Sequence, residues 1–378
     1  MKTFKEIYGE VFLKSWEREW NYYGGHLKKP FENFQEEEEE SIQEECMDFI
    51  KNYLTLGGKE QVRLFKFINK LDLYRLQHII STFFLGIYLY HSLCIVHCTI
   101  DNEINKILKK SKIPSHVRID FTYIWFLICL FHDLGYQYEN KKKKEEYSSF
   151  FKKECQEYLL HSAEGVPEFY KNIVEKYFNY HVRRFGKKEH GICCARVLFE
   201  DLCKIRKGKE ESKTNLYWGK DLEAIYNYVA WIILAHNIWY VKKGGMDAYC
   251  YEVTELEDLI LNENEYKITL KEYPFLFLFC LVDGIEPVKR IYPMSLDQVS
   301  LEINNEKIKL QPNFNNEIPK DEEDLKGWLG NVYKCIDWLS KTADLNNWLT
   351  KTEIKKDTDT DTKKEKTKYS VEINLINN

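Results

Sequence analysis

The sequence predicts a mainly α protein: a helical bundle with a small C-terminal α+β appendage made of a hairpin, a helix and an extra strand. Three observations carry this. Long apolar segments recur at 74–98, 117–133, 189–205, 221–240 and 271–290; they exceed ordinary strand length and lack two-residue alternation. Polar intervals, such as the lysines at 141–144 and the stretch 204–213, separate them. Clear alternation of apolar and polar residues is confined to the region beyond residue 296.

Residues 1–60 read as an N-terminal helical extension, with Trp16, Trp20, Tyr22 and Tyr23 available to pack on a larger body. The acidic run 36–40 reads as a solvated helix face. Residues 61–295 hold the five long apolar segments and form the main domain; Asp221 stands where it could cap the fourth. Residues 296–378 form the appendage. Val299-Ser-Leu-Glu-Ile303 and Lys307-Ile-Lys-Leu310 flank Asn304-Asn305, a hairpin pattern. Segment 321–339 is amphipathic at helical spacing, 351–368 is a flexible polar segment, and 369–375 alternates like a strand. Asp357-Thr-Asp-Thr-Asp361 has a calcium-loop spacing but lacks the turn glycine and the closing glutamate, so calcium is not expected.

A chain of 378 residues, 44% hydrophobic and 15% aromatic, can bury a large core. With 55 basic and 60 acidic residues the formal charge is −5, so no global field draws nucleic acid or an anionic membrane. The eleven cysteines form no C-x-x-C pair, which fits a reduced cytoplasmic protein. The charged N-terminus is unlike a signal peptide. Segment 79–98 has membrane-spanning length, but it contains His91 and His97 and follows His78, so it reads as a core helix.

Each major apolar segment carries an imidazole or a carboxylate. His78 lies in Arg75-Leu-Gln-His78, and His132 and Asp133 end the run Phe126-Leu-Ile-Cys-Leu-Phe131. His190 lies in Glu189-His190-Gly191-Ile192, His236 closes Ala230-Trp-Ile-Ile-Leu-Ala235, and Asp283 follows Phe275-Leu-Phe-Leu-Phe-Cys-Leu-Val282. Any one could be a helix cap or a hydrogen-bonded core residue. Buried polar groups are costly unless satisfied, and a divalent metal in a bundle core satisfies several at once. Imidazole with carboxylate suits Mn, Fe, Co, Ni or Mg.

The order His78, His132-Asp133, His190, His236, Asp283 resembles the HD-domain superfamily of metal-dependent phosphohydrolases over roughly residues 74–290. Glu189-His190-Gly191, Ala235-His236-Asn237 and Leu281-Val-Asp283-Gly-Ile-Glu-Pro287 look like its later ligand segments. The resemblance implies one or two divalent ions held by His78, His132, Asp133, His190, His236 and Asp283, with Asp133 bridging. It also implies a metal-activated water as nucleophile. In a one-metal site His190 or His181 would assist proton transfer, and the third ligand stays open among His161, His181 and His190. Tyr136 stands where many relatives place a phosphate-binding lysine. Arg183, Arg184, Lys187, Lys188, Lys289 and Arg290 are therefore either phosphate contacts or ordinary solvated charges. Tyr136, Tyr138, Trp239 and Tyr240 could stack on a base, with core packing the alternative for Trp239.

The expected activity is hydrolysis of a small phosphorylated nucleotide, as by a (deoxy)nucleoside triphosphate triphosphohydrolase or a nucleotidase. A two-metal phosphodiesterase for cyclic (oligo)nucleotides or single-stranded DNA is the alternative enzyme, and an inactive nucleotide-binding sensor the alternative of another class. The resemblance also extends to uncharacterised bacterial HD proteins, which implies a place in antiviral defence through nucleotide consumption. Exposed strand edges in the appendage would suit a homo-oligomer.

Overall fold

The computed structural model describes residues 1–13, 39–54, 71–115, 117, 119–138, 166–210, 218–262, 268–288, 296–304, 307–312, 332, 339, 354–358 and 367–374. Its helices are α1 (Phe4–Leu13), α2 (Glu39–Leu54), α3 (Leu73–Ser92), α4 (Cys94–Ser111), α5 (Phe121–Phe131), α6 (Glu168–Phe185), α7 (His190–Glu210), α8 (Leu222–Ala235), α9 (Met246–Glu252) and α10 (Pro274–Ile285). A 3-10 turn, Leu134–Tyr138, follows α5. The fold is mainly α with a small sheet, as the apolar periodicity predicts.

Helices α5, α8 and α10 are apolar around most of their surface and lie largely buried in the core, the expected place for such sequences. Each fully buried Leu or Phe on them contributes roughly 1.5–3 kcal/mol. Asp120 caps α5 through Tyr123 N (3.2 Å) and Asp72 caps α3 through Arg75 N (2.9 Å). Pro274 opens α10 at a position where its missing N–H costs nothing. Asp221 occupies the N-cap position of α8 without a side-chain capping hydrogen bond.

The expected helix 74–98 is two helices. The chain turns by 103° between α3 and α4 at the extended residue Leu93. Among the described residues no single helix is long and apolar enough to cross a membrane, and α3 and α4 pass such a test only as this bent pair. Helix α6 was not among the expected segments because its buried residues are interleaved with charge: Tyr170, Ile173, Val174, Tyr177 and Phe178 alternate with Lys171, Glu175 and Lys176.

The described parts of the N-terminal segment, 1–13 and 39–54, are helical as expected, and α1 joins the body directly; Trp16, Trp20, Tyr22, Tyr23 and residues 36–38 of the acidic run lie outside the described residues. Phe4, Ile7, Tyr8 and Val11 form one buried stripe of α1, and the Tyr8 hydroxyl bonds Ser81 Oγ on α3 at 2.7 Å. Strand β1 (Lys2–Thr3) pairs antiparallel with β4 (Val299–Asn304). Two residues are too few to leave a pattern. Strands β2 (Val241–Lys242) and β3 (Ile260–Leu261) form a separate parallel pair.

The hairpin forms as predicted: β4 pairs with β5 (Lys307–Pro312), placing Leu301 opposite Leu310 and Ile303 opposite Ile308. Strand β7 (Thr367–Asn374) supplies the extra strand on β5. The segment expected as a polar loop, 351–368, instead contributes β6 (Ile354–Thr358) and the first residues of β7, giving the order β1-β4-β5-β7-β6. Its charges resemble a loop in sequence because β6 is an edge strand that pairs on one side only, and lysines are common on such edges. The predicted helix 321–339 lies outside the described residues except for Val332 and Leu339, both helical and buried.

Candidate metal centre

Two groups of ligand atoms converge in the bundle core: His78, His132 and Asp283, and Asp133, His190 and His236. Within each group the candidate atoms lie within 4.8 Å of one another. Adjacent residues His132 and Asp133 divide between the groups, with His132 Nε2 3.2 Å from Asp133 Oδ1. All but Asp283 are buried.

The helix-cap reading of His132 and the ligand reading turn out to be compatible. His132 is the C-cap residue of α5 and its Nδ1 bonds the Cys129 carbonyl at 2.7 Å. His236 repeats the device at the end of α8, with Nδ1 2.6 Å from the Ile233 carbonyl. A carbonyl only accepts, so each ring must carry its proton on Nδ1 and turn the Nε2 lone pair inward. His78 Nδ1 bonds the Glu286 carboxylate at 2.6 Å, which sets the same tautomer. Its Nε2 lies 3.0 Å from Asp283 Oδ1 and 3.1 Å from His132 Nε2. An orienting acceptor behind each imidazole is the usual second layer of a metal site.

Glu286, the fully buried C-cap residue of α10, carries no expectation from the sequence. Burial alone would raise its pKa, but His78 beside it, with hydrogen bonds from His78, Ser81 and Val288 N, holds the carboxyl below its usual range. Ser81 Oγ donates to Glu286 Oε1 at 2.6 Å, so a chain of contacts runs from Tyr8 on α1 to His78. Position 286 is one turn beyond Asp283 in an apolar segment, which is the signal that could have found it.

Glu189, also fully buried, likewise carries none. Its carboxylate accepts Gly191 N (3.0 Å) and Ile192 N (2.7 Å), capping α7, and takes Asn237 Nδ2 at 2.7 Å. It thereby ties the start of α7, where His190 sits, to the turn after His236. Two glycines permit the close approach. A Cβ on Gly191 would lie 2.7 Å from Ile233 O and 3.0 Å from His236 Cε1. One on Gly135 would lie 2.2 Å from His190 O.

Asp133 Oδ2, His190 Nε2 and His236 Nε2 are buried and make no hydrogen bond among the described residues, although each residue has further interactions. A divalent cation fits that donor set: three buried candidate ligand atoms, one of them anionic.

Tyr136 stacks on the His190 ring at 4.0 Å and 18°. The Arg75 guanidinium lies 3.6 Å from the centre of the other aromatic partner in the stack, Tyr136, while Arg75 Nε bonds Asp72 at 3.0 Å. A cation beside the ligand groups is thus supplied by α3, one turn before His78, a position that carried no expectation from the sequence.

Other expected residues fall elsewhere. His181 is in neither ligand group; its Nδ1 lies 3.1 Å from Lys187 O and its ring packs near Phe185. Arg183, Arg184 and Lys187 are exposed around the C-terminal end of α6, and Lys188 is buried. Tyr240 is buried against Phe169 and Tyr170 rather than open for stacking, whereas Trp239 is 37% exposed. His161, the lysines at 141–144, Lys289 and Arg290 lie outside the described residues, as does the side chain of Tyr138.

Comparison with protein-family models, with curated proteins and with solved structures finds no match for this chain.

Proposed function

We propose that the chain is a metal-dependent phosphohydrolase acting on a small phosphorylated nucleotide, as a (deoxy)nucleoside triphosphate triphosphohydrolase or nucleotidase. The observation that carries this is the meeting of two three-residue ligand groups at the adjacent pair His132 and Asp133. His78, His132 and Asp283 would hold one ion; Asp133, His190 and His236 would hold another. Mn, Fe, Co, Ni and Mg all suit such ligands. Bound metal would polarise phosphoryl oxygens and make water a competent nucleophile at neutral pH.

The chain's own groups supply positioning. Glu286 and the Cys129 and Ile233 carbonyls fix three imidazoles with Nε2 inward. Glu189 and Asn237 fix the start of α7 relative to His236. The Arg75 guanidinium, held by Asp72 and Tyr136, would meet substrate phosphate where Tyr136 replaces a lysine. His190, stacked on Tyr136, is the imidazole best placed to exchange a proton if only one ion is bound; His181 is outside the ligand groups.

The second ligand group also supports a second reading, a phosphodiesterase for cyclic (oligo)nucleotides or single-stranded DNA, because paired metals can clamp both oxygens of an in-line displacement. A cytoplasmic setting goes with this proposal, since nucleotides are abundant there and the nine cysteines among the described residues are all free thiols. A role in antiviral defence would follow from nucleotide consumption. The deciding experiment incubates purified protein with dNTPs, NTPs, cyclic nucleotides and a single-stranded oligonucleotide across several divalent ions, read by product chromatography. Release of triphosphate or phosphate from a mononucleotide supports the first reading, and cleavage of diesters alone supports the second. Stoichiometric nucleotide binding with no product under every ion would reject both in favour of a sensor.

A further inference from the structure

At the opposite end of α10 from Asp283 lies a cavity of about 660 Å³, lined by Thr99, Asn102, Asn105, Lys106, Lys109 and Lys271 together with Pro274 at the helix start. That volume is within the range of small-molecule sites. Pro274 and Asp283 are nine residues apart on one helix, about 14 Å at 1.5 Å per residue, so this cavity is separate from the metal centre.

Its lining follows from the sequence of α4. Asn102, Asn105, Lys106 and Lys109 have the spacing i, i+3, i+4, i+7 and share one face, and Thr99 extends that face one turn back. The opposite face, with Val96, Ile100 and Ile104, is buried. Lysine 271 approaches from the loop before α10. Lys106 reaches Glu103 at 3.4 Å, whereas Lys109 and Lys271 form no ion pair among the described residues. Pro274 at the start of α10 borders the same space and the N-cap Tyr273 makes no side-chain cap hydrogen bond, so the positive end of a twelve-residue helix adjoins the cavity. Lys109 and Lys271, with Lys106 and a helix start beside them, line one cavity with excess positive charge, which favours an anion of several charges. The Asn amides and the Thr hydroxyl add neutral hydrogen-bond groups around the charge.

We propose that this cavity is a second binding site, for the polyphosphate chain of a small molecule, either a nucleoside triphosphate or a free inorganic polyphosphate. The lysines and the helix start hold the phosphates; Thr99, Asn102 and Asn105 are the groups that would meet a nucleoside. The site does not depend on the metal centre being catalytic.

The test titrates full-length, metal-loaded protein with inorganic tripolyphosphate and with a non-hydrolysable nucleoside triphosphate, by calorimetry and by hydrogen exchange. A saturable event with protection at 99–109 and 270–277 is expected. It should weaken at least tenfold in a Lys109→Glu, Lys271→Glu double variant whose metal content is unchanged, and by less in the Gln, Gln double variant. It should persist in Asp133→Ala, which separates it from the metal centre. Tighter binding of the nucleotide identifies a nucleoside-reading site, and equal binding identifies a site for the phosphate chain alone. Undiminished binding in both double variants, loss in Asp133→Ala, protection confined to the metal centre, or binding only of a single-stranded oligonucleotide overturns the proposal.

Discussion

The Nε2 atoms of His78 and His132 face each other at 3.1 Å, and both rings commit Nδ1 elsewhere, to Glu286 and to the Cys129 carbonyl. Two inward lone pairs at that distance repel. A shared proton or a metal ion removes the repulsion, and Asp283 Oδ1, 3.0 Å from His78 Nε2, adds negative charge on the same spot. The separation is also that of neighbouring ligands on a cation with bonds of about 2.1 Å.

Metal content distinguishes the two. Asp133→Ala is expected to lower bound metal and abolish phosphate release while far-ultraviolet circular dichroism stays unchanged, because Asp133 packs at a helix end rather than within one. His236→Ala should halve the metal-to-protein ratio, measured by plasma emission, if each ligand group holds an ion. Full activity in Asp133→Ala would refute the metal-centre proposal.

Glu286→Gln tests positioning. The amide keeps the shape but removes the charge that orients His78, so metal affinity should fall about 10- to 100-fold, the usual range for an orienting partner. A chelator competition assay reads this directly. An unchanged affinity would make Glu286 a purely structural buried carboxylate.

Arg75→Ala should raise KM for the phosphorylated substrate about tenfold or more, since a charge-assisted contact contributes roughly 1.5–3 kcal/mol. Metal content should not change, because Arg75 belongs to neither ligand group. Arg75→Lys should recover only part, lacking the planar stack on Tyr136.

Stability in acid should depend on His91. Burial, then His97, pushes its pKa down to about 4, against the opposing pull of Asp101. Between the ordinary histidine value of about 6.5 and 4 the unfolded chain therefore binds more protons than the folded one, and stability falls as pH drops through that window. The group is partly exposed, so solvent screening reduces its share to roughly 1–2 kcal/mol. Urea denaturation at pH 7 and pH 4.5 should show a smaller acid loss for His91→Gln than for the unsubstituted protein.

The residues that could be read from the chain are those whose chemistry conflicts with their surroundings. His78, His132, Asp133, His190, His236 and Asp283 interrupt apolar segments, and the structure gathers all six into the two ligand groups. Glu189, Glu286 and Arg75 were missed because a charged residue near a helix end is ordinary in sequence; only the partner across the core gives it a task. The break at Leu93 was missed because an apolar stretch shows burial without showing direction.

The sequence alone determined the helical class, the hairpin and its added strand, and the polar residues in apolar segments that could share a buried site, with the third ligand open among His161, His181 and His190, because periodicity and desolvation are local properties of the chain. Tertiary structure alone decided which three ligands stand together, which carboxylate and carbonyls orient them, and where cations gather. Those relations join residues 54 to 208 positions apart, as in His78 with His132 and His78 with Glu286, and are fixed by packing between helices that leaves no periodic trace.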